Sequence, residues 1–326
     1  MHKTMTILGG AVLVAAAVLA SPASAQDFPV KPVKLVVGYS AGGPTDVLAR
    51  VLAADMTEIL GQSVLVENKP GAAGRIGTEF VARSAPDGYT ITVSTLSHNV
   101  NALLYPKTVK YDPVKDFSPV ALTALLPMVA VTAHESPARG LGDLVDKARK
   151  APGTVTYGSS GNGGSAHLAA ALLETLSGTQ MLHVPFKGNG PALTEVMAAR
   201  VEFMFYPMVG LKAHIEAKRL KPLAVTTAKR HPDYPDVPTT AEQGLKGFED
   251  YTQGIGMLAP AGTPAEVVAK LNAAVNEALK RPATVAKLAS LGAIVAGGSP
   301  QDFGSFIGKD RERWERVIKA ANVKVE

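Results

Sequence analysis

Two short stretches carry the residue pattern best suited to holding a small ligand. Tyr157 to Leu173 reads YGSSGNGGSAHLAAALL, and Val37 to Leu52 reads VGYSAGGPTDVLARVL. Each passes from a β-prone segment through Gly-x-Ser and a Gly-Gly pair into a helix-forming run. Gly38 and Gly158 stand 120 residues apart, so the two corners read as an approximate internal repeat. The first N–H groups of a helix have no intrahelical acceptor. Glycine lets a ligand approach the backbone closely, and the helix dipole adds partial positive charge. Such a corner can hold a carboxylate or phosphate without a basic side chain. The residues placed to do so are Tyr39, Ser40, Ala41, Gly42, Gly43, Thr45 and Asp46 at one corner, and Ser159, Ser160, Gly161, Gly163, Ser165 and His167 at the other. Asp46 could instead cap or favour the helix start. The plainer alternative, that the glycines only form tight turns, is weakened by finding two matched corners.

The energetics are workable. Micromolar binding needs about 8 kcal/mol. A hydrogen bond to a charged group contributes roughly 1.5–3 kcal/mol and a helix end about 0.3–1 kcal/mol. Four or five well-placed donors suffice even against association costs.

Stronger chemistries fail on spacing. Gly161, Gly163 and Ala166 fit G-x-G-x-x-A, but the next strand segment, MLHVPFKG, has no acid for a ribose. Neither corner has the lysine of a phosphate loop. Asn162 stands where a nucleophile elbow needs glycine. The histidines are scattered with no metal-ligand spacing, so neither metal nor cofactor is expected. Other groups that could reach a ligand are Lys187 in a third glycine turn, HVPFKGNGPAL, and Ser94 and His98 at the end of a strand in STLSHNVNALLY. A solvated role for Lys187 and a surface or capping role for His98 are the plainer alternatives. Arg75 stands near a helix start, where the dipole disfavours it.

These corners must be positioned by alternating elements. Val33–Tyr39 reads as a buried strand and Thr45–Leu60 as an amphipathic helix ended by Gly61. Strand, short helix and strand follow, which argues for parallel βαβ units. The rhythm breaks between Tyr105 and Thr132, where an apolar stretch holding Pro119 and Pro127 suits a strand passing from one sheet to another. A second α/β series follows, and Tyr251 to Pro260 reads as another crossing. The C-terminal helices return to the first lobe. The expectation is α/β: two α/β domains joined by two crossing strands with a central cleft. One lobe spans 26–127 and 251–326, the other 128–250.

The first 25 residues read as a signal peptide. Lys3 precedes the apolar run Ile7 to Ala20, and Ala23 to Ala25 has the small-x-small form of a cleavage site. Cleavage after Ala25 leaves 301 residues with a formal charge of +4, from 32 basic and 28 acidic side chains. That mild, dispersed excess gives no footprint for nucleic acid, though it can draw in a small anion. There is no cysteine, hence no disulfide and no cysteine for a lipid anchor.

In sequence the chain resembles the substrate-binding receptors of tripartite tricarboxylate transporters, the Bug receptors. The stretches that carry the resemblance include YSAGGPTDVLAR, VENKPGAAGRIGTEFVARSAPDGYT, VKYDPVKDFSPV, YGSSGNGGSAHLAAALL and APAGTPAEVVAKLNAAV, in order over nearly all of the mature chain. The resemblance implies a two-lobed periplasmic-binding-protein-like fold that closes on a small organic carboxylate. It also implies a periplasmic location and membrane permease subunits as partners, with no enzymatic activity; a monomer is expected. The two corners would grip the acid through backbone N–H groups. Many relatives carry an aspartate after the strand that reads VEFMF here, suited to an amino group on the ligand; this chain has Tyr206. An acid without an amino group is therefore expected, a dicarboxylate or an aromatic carboxylate. An exported hydrolase using the same cleft, or a receptor reporting to a sensor kinase, are the alternatives.

Overall fold

The computed structural model describes residues 28–232, 234–248 and 251–320. The signal peptide expected over residues 1–25 lies outside the described residues.

The first series is β1 (Val33–Val37), α1 (Pro44–Leu60), β2 (Val64–Asn68), α2 (Arg75–Ala82), β3 (Thr90–Ser94) and α3 (Leu96–Leu104). Strand β1 is buried along almost its whole length, as expected where helices cover both faces of a parallel sheet. It pairs in parallel with β2 and β3. Helix α1 starts with Pro44 at its first position and stops at Gly61, whose φ of 65° suits glycine at a helix end.

Strand β4 (Phe117–Ala133) joins the lobes. Its first part, Phe117 to Pro127, pairs antiparallel with β9 (Thr252–Pro260) in the first sheet, which continues through β3. Its second part, from Met128, lies between β7 (Phe203–Pro207) and β8 (Leu220–Val225) in the second sheet. The two prolines fit this path. Pro119 sits at a register shift, and Pro127 stands where the strand changes partners. Bulges and interruptions tolerate a residue that cannot donate.

The second lobe adds α4 (Leu141–Lys150), β5 (Thr156–Ser159), α5 (Ser165–Ser177), β6 (Leu182–Pro185), α6 (Asn189–Met197) and the short α7 (Lys212–Glu216). Strand β5 pairs in parallel with β6 and β7. The chain returns through β9 to α8 (Ala265–Lys280), α9 (Pro282–Ser290), β10 (Ile294–Val295) and α10 (Pro300–Ala320). The fold is thus two-lobed and periplasmic-binding-protein-like, with β4 and β9 crossing between the lobes.

Two local expectations need correction. His98 does not end a strand: it lies in α3, whose apolar Leu96, Val100 and Leu104 recur every four residues. The C-terminal helix also does more than complete the first lobe. On α10, Phe303 and Ile307 join a first-lobe cluster, while Trp314 seats in the core of the second. Its ring meets Tyr251 edge-on at 4.8 Å, so α10 forms a third link between lobes.

Candidate functional site

The ends of β1 and β5 face each other across the cleft. Gly43 precedes α1 and Gly164 precedes α5, both in extended conformation and with no side-chain cap. Among the described residues, the backbone N–H groups of Thr45 and Ser165 find no acceptor in the protein. A third helix start joins them. Gly188 packs on Ser40 and is followed by Asn189, the first residue of α6. The cavity at this meeting point is lined by Tyr39, Ser40, Gly43, Pro44, Thr45, Ser160, Ser165, Asn189 and Gln253. No lining side chain is acidic or basic. Three helix N-termini therefore supply the positive potential in a wall of neutral dipoles.

The space is tight. The cavity volume is about 10 Å³, on the order of one water molecule. The lobes are shut on each other around it. Ser40 Oγ donates to Lys187 O at 3.0 Å, and Ser97 Oγ to Gly163 O at 3.3 Å. At Gly161, with φ at 116°, a methyl group would sit 3.2 Å from Ala73 N across the cleft; this close approach requires glycine.

Behind the first corner, Asp46 is 2 % exposed. Its Oδ2 accepts from Gly42 N and Arg50 Nε, both at 2.9 Å. Its Oδ1 accepts from Asn68 Nδ2 at 2.8 Å and from Arg50 at 3.0 Å. Burial pushes its pKa up, but the bonds from Arg50, Gly42 and Asn68 outweigh that and hold it below the usual value. Asn68 Nδ2 also lies 3.0 Å from Tyr39 O. Tyr39 donates towards Ala73 O at 3.2 Å, and Thr95 Oγ1 lies 3.0 Å from its hydroxyl. Asp46 therefore braces the corner, and its carboxylate is fully engaged.

Behind the second corner, Gly163 N donates to His167 Nδ1 at 2.9 Å. His167 stacks on His183 with ring centres 4.1 Å apart, and His183 stacks on Tyr157 at 5.0 Å. His183 Nε2 lies 2.6 Å from Ser159 Oγ, which also receives Gly161 N at 3.1 Å. Burial pushes His167 down to about 4. Burial, then the neighbouring His167, pushes His183 down to about 3. Both rings are thus neutral near pH 7.

Of the residues the sequence singles out, the fold brings Tyr39, Ser40, Gly43, Thr45, Ser160 and Ser165 to the cavity. Ala41, Gly42, Gly161 and Gly163 shape the loops, while Asp46, Ser159 and His167 brace them from behind. Lys187 meets the first corner through its carbonyl, with its side chain exposed. Ser94 is buried in the sheet, paired in register with Gly256. His98 is 2 % exposed, its Nε2 is 2.8 Å from Pro113 O, and it packs against Tyr111 and Phe117. It packs in the first-lobe core and does not line the cavity. Tyr206 is 4 % exposed, pairs in register with Val129 and packs in the second-lobe core. The sequence reading missed Pro44, Asn189 and Gln253. Asn189 was within reach, since it opens the helix after the third glycine turn; Gln253, inside a crossing strand, has no local signature.

The model of the tripartite tricarboxylate transporter family receptor matches residues 48–323. The chain belongs to this receptor family. Among solved structures, it is similar to the periplasmic binding protein BugD: 34% identity and a TM-score of 0.87, over 92% of this chain and 100% of that one. The receptor is also similar to Rpa4515 of R. palustris, solved with adipate: 38% identity and a TM-score of 0.87, over 91% and 99% of the two chains. MatC of Rhodopseudomonas palustris, solved with bound malate, is 34% identical with a TM-score of 0.85, over 89% and 100%. Two of these similar structures thus hold small dicarboxylates.

Proposed function

We propose that this receptor works in the periplasm, captures a small carboxylate between its lobes and delivers it to membrane permease subunits. The carrying observation is the convergence of three helix N-termini on one cavity without a charged side chain in its wall. Carboxylate oxygens would accept from backbone N–H groups such as those of Thr45 and Ser165, and from neighbouring hydroxyls. The adipate- and malate-bound relatives favour a dicarboxylate. The wall has no acid to meet an ammonium group, and Asp46 is engaged elsewhere. An unpaired buried ammonium is costly, so acids without an amino group are favoured. Aromatic acids lose the support expected from Tyr206, whose ring packs in the core.

A hydrolytic reading meets a specific obstacle. Ser159 and His183 are within hydrogen-bonding distance, but Ser159 is 0 % exposed and does not line the cavity. We place the hinge in β4 near residue 127 and just before β9 near residue 251, with lobes 26–127 plus 251–326 and 128–250. A dicarboxylate exceeds the present space, so entry requires the lobes to part about these strands.

Titration calorimetry with succinate, malate and adipate, followed by chromatography of the recovered acid, tests the reading. Micromolar or tighter binding of an acid recovered intact is expected, with succinate ahead of aspartate. No binding, or conversion of the acid, would overturn it. Uptake measured apart from gene induction in a deletion strain separates transport from signalling.

A further inference from the structure

Helix α2 turns an apolar face to solvent. Its Ile76 is 53 % exposed and its Phe80 39 %. With Glu79, Arg83 and Ser84 they line a groove of about 590 Å³ on the first lobe, which shares no residue with the cavity between the lobes. Leu65, on the sheet-edge strand β2, is also exposed and extends the face. It pairs in register with Lys34, whose ammonium lies 5.8 Å from the Phe80 ring centre. The fold does not require this exposure. Helix α6 holds the equivalent place in the second series, and it buries Ala192, Leu193 and Val196 at the spacing at which α2 buries Gly77, Thr78 and Val81. On that match Pro191 and Glu195 stand where α2 has Ile76 and Phe80. An exposed apolar anchor that the repeat can do without marks a contact surface.

The charges around the anchor say what kind of surface it meets. Lys34 and Lys69 both pair with Glu67, and the Lys69 ammonium lies 4.3 Å from the Phe80 ring centre. Arg75 pairs with Glu79 at 3.9 Å. Arg83, on the lip of the groove, is exposed and has no ion pair among the described residues. Four cations thus stand against two carboxylates. A second copy meeting this face with its own would set like charges together. An anionic bilayer would press its headgroups on Glu67 and Glu79. A protein surface can set its carboxylates beside Arg83 and the lysines and seat an apolar side chain between Ile76 and Phe80. The face also stands beside the seam of the lobes, because Ala73, two residues before α2, lies against Gly161 of the second lobe. We infer that the outer face of α2 is where the receptor docks on an acidic periplasmic surface of the permease subunits, with Ile76 and Phe80 as the apolar anchor. This rests on the delivery reading above and gives it a place on the molecule.

The test replaces the receptor gene with Phe80→Ser or Arg83→Glu and measures initial uptake of labelled succinate, malate and adipate, alongside calorimetry of the same acids on the mature proteins. Affinity within about twofold of wild type and uptake at least about tenfold slower are expected in both variants. Uptake close to wild type in both would overturn the inference and leave the carboxylate receptor intact. So would affinity lost in step with uptake, which would make the face part of ligand binding. Light scattering and co-sedimentation with phosphatidylglycerol vesicles cover the other occupants. A wild-type dimer that Phe80→Ser makes monomeric, or vesicle binding that it abolishes, would overturn the inference as well. If the wild-type strain takes up no acid faster than a strain lacking the receptor, the delivery reading itself fails and this inference fails with it. Arg83→Glu alters an exposed charge and decides alone should Phe80→Ser not fold.

Discussion

At the first corner the third residue of the helix is Asp46, and its carboxylate accepts the N–H of Gly42, four residues back. At the second corner the third residue is His167, and its imidazole accepts the N–H of Gly163, again four residues back. The same bond is made twice, once by an anion and once by a neutral ring. The anion is compensated by Arg50, which reaches both of its oxygens, and by Asn68. The ring is held instead by stacking on His183 and, through it, on Tyr157. The difference teaches that the repeat conserves a loop shape, while the chemistry that supports the shape is free to vary. Either device leaves the cavity wall uncharged.

Removing the anion should have the largest effect. Asp46→Ala strands the N–H of Gly42 and the guanidinium of Arg50. Breaking a buried ion pair costs about 3–5 kcal/mol. Arg50 is half-exposed and partly screened, with a side-chain exposure of 51%. A loss of about 2 kcal/mol in urea unfolding is therefore expected, with carboxylate affinity at least tenfold weaker. His167→Ala removes one neutral acceptor and some packing, and should cost about 1 kcal/mol. Equal losses at the two positions would break the contrast between charged and neutral support.

Acid sharpens the same contrast. His167 has a folded pKa of about 4, below the ordinary histidine value of 6.5. The unfolded chain therefore binds more protons in between, and stability is full above pH 6.5 and lost as pH falls towards 4. His98, pushed down to about 4 by burial, acts in the same direction. Asp46 behaves differently. Its folded pKa is depressed, so its contribution is present above the ordinary carboxylate range and fades only as pH falls through that lowered value. The unfolding free energy from urea titrations should thus drop between pH 6.5 and 4, by on the order of 3 kcal/mol for each of His98 and His167. His167→Gln, which keeps an acceptor but does not titrate, should flatten part of that drop, whereas Asp46→Asn should leave the slope above pH 4.5 unchanged. A slope insensitive to His167→Gln would remove the second corner from the acid response.

The smallest effects should lie where the corners meet. Ser40→Ala removes the cross-cleft bond to Lys187 O, and calorimetry should show about fivefold weaker ligand binding. Lys187→Ala keeps that carbonyl and should change affinity less than twofold. A large effect at Lys187 would mean that the side chain, and not the backbone, serves the site.

The alternation of elements, both glycine corners and both crossing strands were legible because each rests on local signals. Strand and helix periods, Gly-Gly pairs before helices, and Pro119 and Pro127 inside an apolar run are all features of neighbours in sequence. His98 misled for a local reason. The polar residues around it hid the fourfold spacing of Leu96, Val100 and Leu104 that makes α3 and buries its imidazole. Tyr206 misled because alternation along a strand cannot say which face meets a cleft and which a core.

By itself, the sequence determined the receptor family, the α/β plan and the two loops able to hold an anion. These follow from steric freedom at glycine, helix ends and hydrophobic period, which act over a few residues. Only the tertiary structure decided what stands around those loops. It brought the start of α6 against the first corner, drove α10 across into the second core, and set Asn189 and Gln253 on one cavity from positions 64 residues apart. It also set the side chains of Asp46 and His167 behind the loops, bonded to Gly42 N and Gly163 N. The physical reason is that burial and hydrogen-bond partners are properties of packed neighbours. A side chain acquires them only when distant segments close over it.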